Sequence, residues 1–182
     1  MVASAITDDQ LRTILEGRAN AWATWHPRPD CPAEFDQQTA FIKARDAMSI
    51  ALGGNASGKT AAAGKKCADF VMTTPPPRVD TPFWIVAGSY EQVCSVCWSE
   101  KLSGAGFLPE WVVDRDRIVW LKPNLNWPMK VPLRKWPNGN NWLLEFKSIE
   151  QGREAMQARS IGGVWLSEQF PFEVFLEILR GS

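Results

Sequence analysis

The sequence predicts an α/β fold in which a largely parallel sheet, flanked by helices, carries an antiparallel β extension. Three stretches carry that expectation. The apolar run Met48-Ser49-Ile50-Ala51-Leu52 enters the glycine-rich Gly53-Gly54-Asn55-Ala56-Ser57-Gly58-Lys59-Thr60 and then the helix-forming segment 61–71, a strand, loop and helix in succession. Pro82-Phe83-Trp84-Ile85-Val86-Ala87-Gly88-Ser89 is a continuous apolar run between turn residues, the signature of a parallel strand buried on both faces. Between Phe107 and Lys147 the character changes. Arg117–Leu121, Lys130–Arg134 and Asn141–Phe146 read as strands, with Pro137-Asn138-Gly139-Asn140 as the turn between the last two.

Length and composition bound the rest. At 182 residues the chain is one domain with an N-terminal appendage. Twenty basic and twenty acidic residues cancel, so no global field draws it to nucleic acid or an anionic membrane, and any such contact must come from a local patch. Ten tryptophans exceed what a core needs and point to core fillers together with a partner-facing surface. No apolar run approaches the ~20 residues of a membrane span, and no secretion signal opens the chain, so cytoplasmic residence is expected. The four cysteines then read as reduced thiols.

Taken in order, residues 7–22 begin with a capping box, Thr7 and Gln10, and continue with Leu11, Ile14 and Leu15 at helical spacing. Residues 22–36 hold three prolines and the lone His26, and read as an irregular connector with a packing or surface histidine. The division expected is therefore 1–36 as N-terminal helix and connector and 37–182 as the α/β domain. In Gln37–Ile42, Gln38 is placed either to hold an adenine ring by its amide or to cap the sheet on a short helix. Thr73-Thr74-Pro75-Pro76-Pro77 must be loop. Residues 90–102 form the next helix, on which Cys94 and Cys97 share a face and line the core. Lys122, Lys130, Arg134, Lys135 and Lys147 interleave with Trp120, Trp127, Trp136 and Trp142, a pattern that fits a phosphate-tracking surface or the solvated face of alternating strands.

The glycine-rich stretch has the form of a Walker A phosphate loop in its required setting between strand and helix. Gly53, Gly54 and Gly58 let the backbone turn with its N–H groups inward, Asn55, Ala56 and Ser57 complete the loop, and a polyphosphate meets these donors and the positive end of the helix dipole. Lys59 is placed to reach the β and γ phosphates, and Thr60 to set its hydroxyl on Mg²⁺. ATP and Mg²⁺ are the cofactors expected. The matching half of such a site is an apolar strand ending in acid. Gly163-Val164-Trp165-Leu166-Ser167-Glu168 supplies it, with Glu168 as the water-polarising carboxylate and Ser167 where many ATPases have the metal-organising aspartate, so that Ser167 would serve the metal only through water.

The GGNxSGKT form of the loop, the segment Phe146-Lys147-Ser148-Ile149-Glu150-Gln151-Gly152-Arg153-Glu154-Ala155-Met156-Gln157 and the strand Gly163–Glu168 with Gln169-Phe170-Pro171 together resemble the N-terminal ATPase domain of tailed-phage large terminase subunits, the DNA-packaging motors. The likeness runs from about Gln37 to the C-terminus. It implies a P-loop NTPase of the additional-strand type, Lys59 and Glu168 as catalytic residues, Thr60 on Mg²⁺, Gln38 near adenine, and Arg153 or Arg159 as the arginine that neutralises the transferred phosphate. It further implies double-stranded DNA, the portal or procapsid and the small terminase subunit as partners, in a homo-oligomeric ring formed by the full motor. Against the family pattern, Ser167 weakens the metal site, with Asp80 or Glu173 as possible substitutes, and the chain ends at Ser182, before the coupling strand and the nuclease domain. The rival readings are another P-loop ATPase, helicase-like or kinase, and a nucleotide-binding fragment with little hydrolysis that serves assembly.

Overall fold

The computed structural model describes residues 32–51, 58–104, 106–156, 160–168, 171, 173, 175 and 176. The expected helix over 7–22, His26 and loop residues 53–57 lie outside them. Helix α1, Pro32–Lys43, overturns the expectation that the connector stays irregular to residue 36. Proline suits a first helical turn, where its missing N–H has no partner to lose. Helix α2 is Lys59–Thr73. Lys66 on α2 donates to the carbonyls of Phe41 (2.8 Å) and Ala44 (2.6 Å) and lies 5.1 Å from the Phe41 ring centre. These bonds satisfy carbonyls at the end of α1 and fix it against α2. Burial and the nearby Arg45 lower the Lys66 pKa.

Among the described residues five strands form one sheet in the order β2-β3-β4-β1-β5. Strand β1, Thr81–Ala87, is buried at every position and is paired in parallel with β4, Trp142–Ser148, on one side and β5, Gly163–Leu166, on the other. Strands β3, Trp127–Pro132, and β2, Val119–Lys122, extend the sheet antiparallel from β4. The expected antiparallel extension is present. Its third segment plays both parts: β4 pairs antiparallel with β3 and, on its other side, in parallel with β1 from Thr81 against Trp142 to Ala87 against Ser148. Residues 48–51, expected to be a strand, are not one, and Met48 and Ile50 are 55% and 69% exposed. No described strand lies beside this run, so its backbone has no ladder to join.

The larger core lies on one face of the sheet. There Phe83, Ile85, Trp142, Leu144, Phe146 and Trp165 meet Cys67, Ala68 and Val71 of α2 and the helix that follows β1. That helix, α3, is α-helical at Tyr90–Gln92 and continues as a π-helix at Val93–Leu102. Cys94 and Cys97 are fully buried in this core, in agreement with their core-lining reading. The opposite face is thinner, with Trp84 and Val86 covered by Met156 and Ile161. Its buried charge, Glu145, is compensated: it accepts from Trp84 Nε1 at 2.9 Å and lies 3.4 Å from Lys130 Nζ.

Candidate active site

The site is built at the carboxyl ends of the parallel strands. Gly58 takes a left-handed conformation (φ 77°) and caps α2, whose first turn carries no acidic side chain. Lys59 and Thr60 are therefore the first two residues of the helix, at its positive end, and its first turn carries no carboxylate of its own to repel an anion. A Cβ at position 58 would stand 2.7 Å from the Gln38 amide nitrogen, so Gln38, buried on α1, packs directly against the end of the glycine loop. The sequence placed Gln38 either near a nucleotide or on a capping helix. It is on a helix, and that helix holds it at the loop.

The direction of α2 fixes where its first turn lies. Phe70 packs on Phe83 and Trp142, near the amino ends of β1 and β4. One turn earlier Cys67 shares the core with Cys97 of α3, whose thiol lies within electrostatic reach of Ser167 and Glu168, just past the carboxyl end of β5. Following α2 backwards thus leads from the amino to the carboxyl ends, and Lys59, about 12 Å beyond Cys67 at ~1.5 Å per residue, lies at the end of the sheet where Glu168 stands.

Ser167 N–H donates to the Val86 carbonyl (2.9 Å) and prolongs the β5 ladder by one residue, which fixes the chain at the point where Glu168 leaves it. Glu168 is exposed, and its Oε1 accepts a short hydrogen bond from Gln92 Nε2. Gln92 sits on α3, whose start is capped by the Ser89 hydroxyl accepting from Gln92 N–H at 3.2 Å. Gly88 makes the meeting possible, since a Cβ there would approach Glu168 Oε2 to 3.0 Å and Gln92 Oε1 to 3.3 Å. Sequence reasoning missed Gln92. Its signal was slight: a polar residue a few positions past the end of a buried strand, where parallel sheets place their functional groups.

Burial pushes the thiol of Cys97, near Ser167, up to about 11, with the Ser167 hydroxyl offsetting part of that rise. Burial also pushes the Cys94 thiol up to about 12. Both are neutral core groups near pH 7, with no thiolate to offer a metal. Among the described residues no cluster of three or more metal-ligating side chains occurs. Asp80 does not substitute for the missing aspartate: it precedes β1, at the opposite end of the strand, and is bound to Arg117 and Asn141. The segment 146–156 follows β4 out of the same end as Glu168. Gln151 accepts from Ser148 N–H (3.0 Å), while Lys147 lies 4.5 Å from the Trp84 ring centre and donates to the Ala155 carbonyl (2.5 Å), tying the segment to the thin face. The side chain of Arg153, and Arg159 entirely, lie outside the described residues, as do Gly53, Gly54, Asn55, Ala56 and Ser57.

The fold is shared with a solved large terminase ATPase domain. The ATPase domain of the Thermus phage P74-26 large terminase superposes with a TM-score of 0.55 at 15% identity, over 86% of this chain and 64% of that one. An arginine-to-alanine mutant of the same domain gives 0.53 at 16% identity, over 86% and 65%. The likeness is one of fold, and the chain spans just under two thirds of the length of those domains. No protein-family model matches the sequence, and no curated protein does. Among the described residues no helix is long and apolar enough to cross a membrane.

Proposed function

We propose that this chain is a P-loop ATPase module of a viral DNA-packaging motor, binding ATP with Mg²⁺ and hydrolysing it with Glu168. The observation that carries the reading is the convergence at one end of the sheet of the Gly58-Lys59-Thr60 helix start and a strand-end carboxylate held by Gln92, on the fold of a terminase ATPase domain. The residues present suit a nucleotide: the helix start is free of acid, and position 58 has no room for a side chain. The loop from Gly53 to Thr60 and Lys59 would hold the phosphates, Thr60 and a water shared with Ser167 the metal, and Gln38 would contact the base. When bound, Mg²⁺ neutralises phosphate charge. Glu168 orients the attacking water and accepts its proton, Gln92 fixes the carboxylate for that role, and Lys59 draws charge from the departing phosphate.

Packaging partners follow from the same reading: double-stranded DNA, a portal or procapsid, a small terminase subunit, and further copies of the motor in a ring. Phosphate release from ATP tests the enzymatic claim. Glu168→Gln is expected to lower turnover by about a hundredfold or more while leaving ATP affinity within a few-fold, and Lys59→Ala to abolish ATP binding. Turnover unchanged in Glu168→Gln would overturn the assignment. One observation favours a second reading, an assembly module that binds nucleotide with little hydrolysis: Ser167, where the strand ends, brings no charge to the metal. That reading expects ATP binding without turnover in the unaltered chain.

A further inference from the structure

A second constellation lies at the amino ends of β1 and β4. A cleft of about 740 Å³, open to solvent, is lined there by Val79, Asp114, Arg117, Arg134 and Lys135. It is separated from Glu168 by the length of β1, seven residues, or roughly 20 Å at ~3.3 Å each. Its framework is rigid and built at a cost. Asp80 has φ 51°, a left-handed backbone uncommon outside glycine. Asn141, fully buried, holds it there: Asn141 Oδ1 accepts from Asp80 N–H (3.0 Å), and its amide donates to Asp80 Oδ1 (2.7 Å). Asp80 in turn accepts from Arg117 Nη2 with both oxygens (3.2 and 3.1 Å), and Asp114 lies 3.7 Å from Arg117 Nη1. The strained residue thus fixes a guanidinium at the rim of the cleft.

Charge then decides what the cleft accepts. Arg117 is matched by Asp80 and Asp114, whereas Arg134 and Lys135, both exposed, have no ion pair among the described residues. Their backbone is pinned, because Leu133 N–H donates to Trp142 O (2.8 Å) and Arg134 N–H to Val112 O (2.7 Å). An open surface with two cations outside any ion pair among the described residues suits a polymer lying across it better than an enclosed small anion. In a chain whose formal net charge is zero, such a patch is what can hold a polyanion.

We infer that this cleft binds the phosphodiester backbone of a nucleic acid, through Arg134 and Lys135 with Arg117 held at the rim. The choice of nucleic acid among polyanions rests on the packaging reading, and the cleft itself does not. The test measures binding of a short labelled duplex, and of the matching single strand, to the unaltered chain and to Arg134→Ala/Lys135→Ala across ~50 to 200 mM salt, with ATP binding and DNA-independent turnover measured in parallel. The double variant is expected to lose about tenfold in affinity at the low-salt end and about two units of the salt slope, with ATP binding and basal turnover unchanged. Its two side chains are exposed, so folding should survive. The charge reversal Arg134→Glu/Lys135→Glu should abolish binding. Whichever strand form binds more tightly identifies the source of the backbone. No nucleic-acid binding by the unaltered chain, or an unchanged salt slope in the double variant, would overturn the inference, as would displacement of the nucleic acid by polyglutamate at equal charge concentration. If the unaltered chain hydrolyses no ATP and the double variant still loses nucleic acid, the motor reading falls and the cleft stands.

Discussion

The two ends of the parallel strands are built on opposite principles. At the amino end a buried amide, Asn141, clamps a strained Asp80 through two hydrogen bonds, and Trp142 Nε1 donates to the Thr74 carbonyl at 2.8 Å to close α2 onto β4. At the carboxyl end the polar groups stand near the surface: Glu168 is exposed, and Gln92 reaches it from the first turn of a helix whose continuation is a π-helix. One end locks the strands, and the other keeps a carboxylate accessible. A π-helix is a less favourable continuation than an α-helix, and such segments recur at functional sites. Here the wider turn brings Cys94 within 3.7 Å of the Pro128 carbonyl and packs Trp98 on Phe146.

If this contrast is right, the largest effect on folding should come from the locked end. Asn141→Ala would leave Asp80 without either bond and expose a strained backbone, which is expected to destabilise the chain by about 2–3 kcal/mol in urea unfolding. ATP affinity at the other end should stay within a factor of two. A matching loss of ATP affinity would mean that the two ends are not independent.

The next effect belongs to the open end. Gly58→Ala meets two obstacles, a left-handed φ of 77° and the Gln38 amide nitrogen 2.7 Å from the new Cβ. The backbone term alone is about 1–2 kcal/mol, so ATP affinity should fall roughly 5- to 30-fold. Adding Gln38→Ala to Gly58→Ala removes the clash but not the backbone cost, and should recover part of the affinity. Full recovery would assign the whole effect to Gln38.

These two positions also mark how much was legible in the sequence. The helix start at Gly58-Lys59-Thr60, the buried β1 and the strand running toward Glu168 were readable because each rests on a local pattern: the end of a glycine-rich stretch, or an apolar run with turn residues beside it. The rest was not. Met48–Leu52 has strand composition, but a strand exists only beside another, and pairing is not written in the run itself. The turn at Gly139 joins β3 to β4 as expected, yet nothing local says that β4 pairs in parallel with β1 on its other side. Pro32 lies in a proline-rich run that reads as a connector, although proline also opens helices. Asp80 and Asn141 lie 61 positions apart in sequence, and their bond, like that between Gln92 and Glu168, arises only once the sheet has formed.

Gln92→Ala should have a smaller, purely functional effect. Gln92 is partly exposed and makes its side-chain bond at the surface, so its loss should alter stability by no more than about 0.5 kcal/mol. Freed from that bond, Glu168 samples more rotamers, and kcat should fall about fivefold, close to 1 kcal/mol, with the KM for ATP unchanged. Gln92→Glu sets a like charge against Glu168 and should lower kcat further. An unchanged kcat in both variants would show that the contact is incidental to turnover.

The smallest expected effect sharpens the comparison within the amino end itself. Arg117 bonds the same Asp80 that Asn141 clamps, but at 46% side-chain exposure, with Asp80 at 37%, water and salt screen the pair. Arg117→Ala should therefore cost less than about 1 kcal/mol in low salt and close to nothing at 1 M, although it removes two hydrogen bonds to a strained residue. Burial, then, and not the number of bonds at Asp80, would set which contact matters. A cost for Arg117→Ala that equals that of Asn141→Ala and persists in 1 M salt would instead mean that the guanidinium holds the left-handed turn, and that the rim of the cleft is part of the lock.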